Sequence, residues 1–150
     1  MTVTIRKAVP TDAATIAAFQ LAMAQETEEK QLELEIVKPA VDEVFANPNR
    51  GFYLVGEIDG DVAGSLMVTY EWSDWRNSNL WYIQSVYVQK QYRGCGVFKN
   101  LYQTVIELAR SQKAAYVRLY VETDNARAQK VYESLGMKRL PYYMYDIKID

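Results

Sequence analysis

The sequence contains no histidine. That removes Ser–His and Cys–His nucleophile pairs, and with them every metal site that needs imidazole. A general base must then be Asp, Glu, Tyr, Cys or Lys, or a water that one of them holds. Cysteine is nearly absent: Cys95 stands alone, so no internal disulfide can form, and a reducing compartment such as the cytoplasm is expected. No apolar run is long enough to span a membrane, and the N-terminus lacks the apolar core of a signal peptide. The net charge of −2 offers no basic surface for nucleic acid or anionic lipid. Repeats, linkers and low-complexity tracts are missing too. At 150 residues and 49% hydrophobic composition, the chain is expected to form a single domain over residues 1–150 with a sizeable core.

What is present is organised around Gln91-Tyr92-Arg93-Gly94-Cys95-Gly96-Val97. A β-rich run, Trp81 to Val88, precedes it. A run of helical period follows, with Val97, Leu101, Val105, Leu108 and Gln112 on one side and Phe98, Tyr102 and Ala109 flanking. Two glycines therefore sit where a strand hands over to a helix. The first amides of a helix lack internal acceptors, and the helix dipole places partial positive charge there. Such a junction suits a phosphate or pyrophosphate. It is not a dinucleotide fingerprint, because Lys99 stands where a third glycine is needed, and it is not a P-loop, because Gly-Lys-Ser/Thr is absent.

Along the rest of the chain, Thr2 to Lys7 alternates as a short strand. Pro10-Thr11-Asp12 starts a helix carrying Ala13, Ile16, Phe19 and Met23 at helical spacing. The polar stretch Gln25 to Gln31 follows, and Pro39 is expected to open a second helix with Val41, Val44 and Phe45 on its apolar side. Gly51 to Ile58 and Val62 to Glu71 read as strands joined by a tight turn at Asp59-Gly60. Trp72 to Asn79 reads as a polar-aromatic loop. Tyr116 to Val121 is an expected strand. Asp124-Asn125 caps a helix with Ala128, Val131, Tyr132 and Leu135 on one face, and Gly136 stops it. A last strand is expected over Tyr143 to Ile147. This order predicts an α/β fold: a mixed, mainly antiparallel sheet flanked by about four helices.

Two segments resemble the GNAT superfamily of acyl-CoA-dependent N-acyltransferases. The first is the Gln/Arg-x-x-Gly-x-Gly/Ala loop, here Gln91, Gly94 and Gly96. The second is Asn-x-x-Ala-x-x-x-Tyr-x-x-x-Gly-Phe, here Asn125, Ala128, Tyr132 and Gly136, with Met137 in place of Phe. Phe98 stands where that family often has a small residue. The resemblance extends in element order over essentially the whole chain.

The resemblance implies acetyl-CoA as cosubstrate and no metal. It implies that backbone groups of Val86, Tyr87 and Val88 pair with the pantetheine arm as though it were an added strand. Amides of Tyr92, Arg93, Gly94, Cys95, Gly96 and Val97 would hold the pyrophosphate. Asn125 and Ala128 would lie on the cosubstrate side, and Tyr132 would protonate the leaving sulfur. A small-molecule primary amine or polyamine is the first acceptor to expect and a protein amino group the next, with a homodimer as a further possibility. A non-catalytic acyl-CoA-binding regulatory module is the alternative that would need no Tyr132.

Glu26 and Asp74, each through water, are the base candidates, with Gln84 as a positioning alternative. Trp72, Asp74 and Trp75 combine aromatic faces and a carboxylate, a set that suits a cationic amine. Cys95 has no visible base partner, so direct attack by the amine is expected rather than an acyl-enzyme.

Overall fold

The computed structural model describes residues 2–150. Its contacts divide the chain into two units, one running through Leu119 and the other Tyr120–Asp150. The first is built on a five-stranded sheet of order β1-β2-β3-β4-β5. β1 is Thr4–Lys7, β2 Phe52–Ile58, β3 Asp61–Ser73, β4 Ser78–Val88 and β5 Tyr116–Arg118. The first three junctions are antiparallel, and β4 pairs with β5 in parallel. Helices α1 (Ala13–Glu28), α2 (Leu34–Ala46) and α3 (Val97–Ser111) belong to this unit, and α4 (Ala126–Ser134) to the second. The mixed, mainly antiparallel sheet with four helices is the architecture the element order predicts.

Both faces of the sheet are covered, which is why its central strands read as nearly continuous apolar runs. Tyr53 and Val55 on one face of β2 join Ala13, Ile16 and Ala17 of α1 and Val41 of α2 in one buried cluster. Residue 56 points the other way; a Cβ there would stand 3.2 Å from Val97 of α3 and 3.2 Å from Ile5. Val97, Leu101 and Val105 recur every four residues and form the buried stripe of α3, with Tyr102 and Ala109 beside it. Leu108, expected on that stripe, is only half-buried. Leu54, Val55, Leu66 and Val68 are essentially sealed from water. Each such side chain contributes about 1.5–3 kcal/mol.

The entry to α1 is fixed electrostatically. Arg6 on β1 donates to both carboxylate oxygens of Asp12, at 2.8 and 3.0 Å, and to Glu57 on β2 at 2.6 Å. The Val9 amide also donates to Asp12 at 2.7 Å. These donors, Arg6 foremost, hold the Asp12 carboxyl below its ordinary range.

Four expectations are corrected. Pro39 lies inside α2, which begins at Leu34. Pro39 removes one intrahelical donor, but the Ile36 and Val37 amides both bond Glu33 and start the helix upstream. The segment Trp72 to Asn79 is not all loop: Trp72 pairs with Asn79 and Ser73 with Ser78, so only residues 74–77 turn. β5 stops at Arg118, short of Val121. The strand expected over Tyr143 to Ile147 is absent; residues 138–150 join no ladder. A strand needs a neighbour to pair with, and alternation alone does not supply one.

In the second unit the expected caps of α4 are present. The Asn125 side chain accepts from the Ala128 amide at 3.1 Å. Gly136 takes φ +98°, and the Met137 amide reaches back to the Tyr132 carbonyl at 3.1 Å, closing the helix end.

Candidate active site

The site begins with what β4 leaves open. One side of β4 pairs with β3 along its length, while β5 occupies the other side only at Leu80, Trp81 and Tyr82. Among the described residues, no strand pairs with that edge from Ile83 to Val88. The backbone there is also irregular. Ser65 pairs with Tyr87 and Met67 with Gln84, so Leu66 faces both Ser85 and Val86. This is a β-bulge, and Ser85 accommodates it at φ +53°. Opposite the bulge, residue 64 must be glycine, because a Cβ there would lie 2.6 Å from the Tyr87 carbonyl oxygen. A bulge re-aims the groups that follow it, and here those groups lead into the glycine loop.

The loop is moored to the sheet. The Gln89 amide bonds the Ala63 carbonyl at 2.8 Å, the Gln89 side chain bonds the Val62 carbonyl at 2.8 Å, and the Tyr92 hydroxyl donates to Asp61 at 2.9 Å. Lys90–Tyr92 forms a single 3-10 turn, and Gln91 donates to the Gln89 side chain at 3.3 Å. Gly94 and Gly96 then take φ +80° and +83°. Among the described residues, the amides of Gly94, Cys95 and Gly96 have no acceptor. Consecutive free amides at a helix N-terminus form a seat for an anion. A Cβ at Gly94 would meet no protein atom within 4 Å, so the space in front of the loop is open.

Beside this seat stands a cluster that sequence spacing does not reveal. The Tyr87 hydroxyl donates to Glu26 Oε2 at 2.5 Å, and Arg93 Nη2 donates to Glu26 Oε1 at 2.9 Å. Arg93 also lies over the Tyr87 ring at 5.5 Å and donates through Nε to the Val88 carbonyl at 2.8 Å. The ring of Phe19 packs on Tyr87 at 5.1 Å. The last turns of α1 are thereby tied to the end of β4 and to the glycine loop. The donors from Tyr87, then Arg93, hold the Glu26 carboxyl below its ordinary range. Burial, then the bond to Glu26, pushes the Tyr87 phenol up. No strongly attracting pattern marks Glu26 in the sequence; only its place in an acidic stretch does.

The other named residues fall as follows. Gln84 lies on β4 just before the bulge and donates to the Thr69 hydroxyl at 2.6 Å. Asp74 and Trp75 lie exposed at the tip of the β3–β4 hairpin. β4 runs from Ser78 to Val88, so that tip is roughly 30 Å along the strand from the glycine loop. Glu26 joins the loop, and Asp74 does not. Cys95 has only the Arg93 carbonyl near its sulfur, at 4.0 Å. Asn125, Ala128 and Tyr132 lie on α4 in the second unit, and burial pushes the Tyr132 phenol up. Of the face expected on this helix, Tyr132 and Leu135 are half-buried and Val131 is exposed. Among the described residues no group of carboxylates and thiols could hold a metal ion, and no helix is long and apolar enough to cross a membrane.

A strand edge without a partner, ending at three free amides, has the chemistry to suit an extended, amide-bearing ligand with an anionic end. Residues 16–137 match the acetyltransferase (GNAT) family, and the chain belongs to it. The fold is also that of a crystal structure described as a possible acetyltransferase from Clostridium difficile 630. The two are 38% identical with a TM-score of 0.93, covering 100% of this chain and 99% of that one. Thialysine N-epsilon-acetyltransferase of Bos taurus is 33% identical over 86 residues, 57% of this chain and 50% of the relative. A Bacillus subtilis protein, named for acetylating an alanine of ribosomal protein bS18, is 29% identical over 96 residues, 64% of this chain and 59% of the relative. The chain thus spans about half the length of the curated relatives it matches.

Proposed function

We propose that this chain transfers an acetyl group from acetyl-CoA to a primary amine by direct attack in a ternary complex. The observation that carries the reading is the open edge of β4 from Ile83 to Val88 running into the free amides of Gly94, Cys95 and Gly96. The residues present fit the cosubstrate. Backbone groups of Val86, Tyr87 and Val88 offer strand-type pairing for the amides of the pantetheine arm, and the loop amides offer the pyrophosphate seat. Arg93 holds one lone pair of the Val88 carbonyl, and a carbonyl has two. Once bound, acetyl-CoA supplies an activated thioester carbonyl.

The residues of this chain then have separable roles. Tyr132, at the matching position of the family's second motif, is the acid for the leaving sulfur. Its burial disfavours the phenolate, so the phenol keeps its proton at neutral pH. Asn125 caps the helix that carries it. Glu26 is a poor base, because two donors already stabilise its anion and lower its proton affinity. Its carboxylate fixes Arg93 and offers negative charge to an ammonium group arriving at the end of α1. The amine, with an ordinary pKa near ~10, sheds its proton on desolvation or to a water. Bond formation from nitrogen to the acetyl carbon breaks the carbon–sulfur bond. The amine proton goes to solvent, and the thiolate takes one from Tyr132, which solvent then reprotonates.

The acceptor is read as a small-molecule amine, in keeping with the relative named for thialysine. The relative named for a ribosomal-protein alanine favours a second reading, a protein amino group. A cytoplasmic location accords with the lone cysteine and with this cosubstrate. The test is thiol release from acetyl-CoA across a panel of amines, lysine analogues, polyamines and peptides. Turnover with a small amine is expected. Cosubstrate binding without release across the whole panel would instead identify a binding module.

A further inference from the structure

Two cations compete for the Glu26 carboxylate. Its Oε2 takes the Tyr87 hydroxyl at 2.5 Å, and its Oε1 takes Arg93 Nη2 at 2.9 Å. An acceptor ammonium group arriving at the end of α1 therefore meets an oxygen that Arg93 already holds. Arg93 is itself placed between two sites. It directly precedes Gly94, the first free amide of the anion seat, yet its guanidinium is engaged elsewhere. The Gln89 amide bonds Ala63 across the sheet, so by ladder alternation the polar groups of Val88 point to the opposite, open edge of β4. Arg93 Nε takes the Val88 carbonyl there at 2.8 Å. Carboxylate, carbonyl and the face of the Tyr87 ring, 5.5 Å from the guanidinium, make a box for one cation, and a residue of the glycine loop fills it. The grip is light, because the Arg93 and Glu26 side chains are 44% and 24% exposed.

We propose that Arg93 exchanges partners when the cosubstrate binds: its guanidinium leaves Glu26 and Val88 for the pyrophosphate, and the acceptor's ammonium group replaces it between Glu26 and the Tyr87 ring. The exchange rests on the reading of acetyl-CoA as cosubstrate. Each half of it is favourable. A pyrophosphate offers a guanidinium two parallel charge-assisted hydrogen bonds, against the single one that Glu26 accepts from it. The Val88 carbonyl, once released, accepts from an amide of the pantetheine arm on the same edge. Glu26 keeps its aim, because the Tyr87 hydroxyl still holds Oε2 and Phe19 still packs on the Tyr87 ring. Among the described residues no cation other than Arg93 bonds Glu26, so an ammonium group completes Oε1. By linkage the effect is reciprocal, and each ligand raises the affinity for the other.

Calorimetric titration with CoA over a double-mutant cycle tests the exchange. Arg93→Ala is expected to weaken CoA binding at least ~10-fold, the scale of hydrogen bonds to a charged group. Glu26→Gln still accepts from Tyr87 but no longer pairs with the guanidinium, so it is expected to tighten CoA binding about 2- to 5-fold. A carboxylate that only braces the loop gives the opposite sign, and unchanged or weaker binding in Glu26→Gln overturns the exchange. In the Arg93→Ala background, Glu26→Gln should leave CoA affinity unchanged. Simple relief of repulsion between Glu26 and the phosphates would persist without Arg93, and that result overturns the exchange as well. Ethylamine, a minimal ammonium, is the second probe, read by the ring resonances of Tyr87. Its affinity for the wild-type chain is expected to rise ~10-fold when CoA is bound, and in Arg93→Ala to be the same with and without CoA. An affinity that ignores CoA in the wild type, or no response at all, overturns the ammonium half. Thiol release keeps this separate from the activity. The expected cycle with no release from any amine sinks acetyl transfer and leaves the exchange standing, a failed cycle in an active chain does the reverse, and a chain that binds no CoA sinks both.

Discussion

Substituting alanine for Gly94 separates what the loop costs from what it binds. Gly94 sits at φ +80°, where an L-residue pays roughly 1–2 kcal/mol. The added Cβ meets no protein atom within 4 Å, so steric conflict within the folded protein contributes nothing further. For a chain of this size the strain should lower the melting temperature by about 2–8 °C. If the loop keeps its shape, that strain is present with and without ligand and cancels in the binding constant. Any loss of affinity then reports the Cβ entering the space that the pyrophosphate takes. We expect CoA binding to weaken at least ~10-fold, or about 1.4 kcal/mol, by calorimetry. A short acetyl thioester that lacks the pyrophosphate supplies the control, and its kcat/KM should change by less than ~2-fold, well within the scatter of a neutral site. Wild-type CoA affinity in Gly94→Ala would remove the loop from the site. Equal losses for both donors would mean that the loop had collapsed instead.

Tyr132→Phe keeps the ring and removes the proton, so kcat should fall ~10²-fold with CoA affinity near normal; unchanged kcat, with chemistry shown to be rate-limiting, would leave Tyr132 a packing residue. Glu26 is ionised well below neutrality, so Glu26→Gln should leave the apparent pKa of the kcat/KM profile above pH 6 in place. Loss of that limb in Glu26→Gln, or in Asp74→Asn, would identify the altered carboxylate as the base. Asp12→Asn should cost about 1–3 kcal/mol in urea unfolding, because Arg6 and the Val9 amide lose their anion. The Asp12 carboxyl is held low, so its contribution is complete above the unfolded value near ~3.9 and is lost as pH falls through the folded value. The gap between wild type and Asp12→Asn should therefore be constant from pH 6 to 8 and close in acid; a gap that widens in acid would contradict this assignment.

By itself the sequence determined whatever depends on neighbours a few residues apart. The stripe Val97, Leu101, Val105 specified α3, because helical period is a local property. Asp59-Gly60 specified the β2–β3 turn, and both residues adopt positive φ. Asn125 and Gly136 specified the ends of α4 for the same reason. The absence of histidine restricts the chemistry whatever the fold. Tertiary structure decided everything that joins distant segments. The bulge at Ser85 and Val86 exists only as a mismatch with β3, so no pattern within β4 announces it. Glu26 meets Tyr87 and Arg93 across 61 and 67 residues, contacts that only the packing of α1 against β4 can make. The strand pattern over Tyr143 to Ile147 was legible, and its failure to form a strand was not. Alternation records which face of a segment wants burial, while pairing requires an edge that some other part of a structure must present.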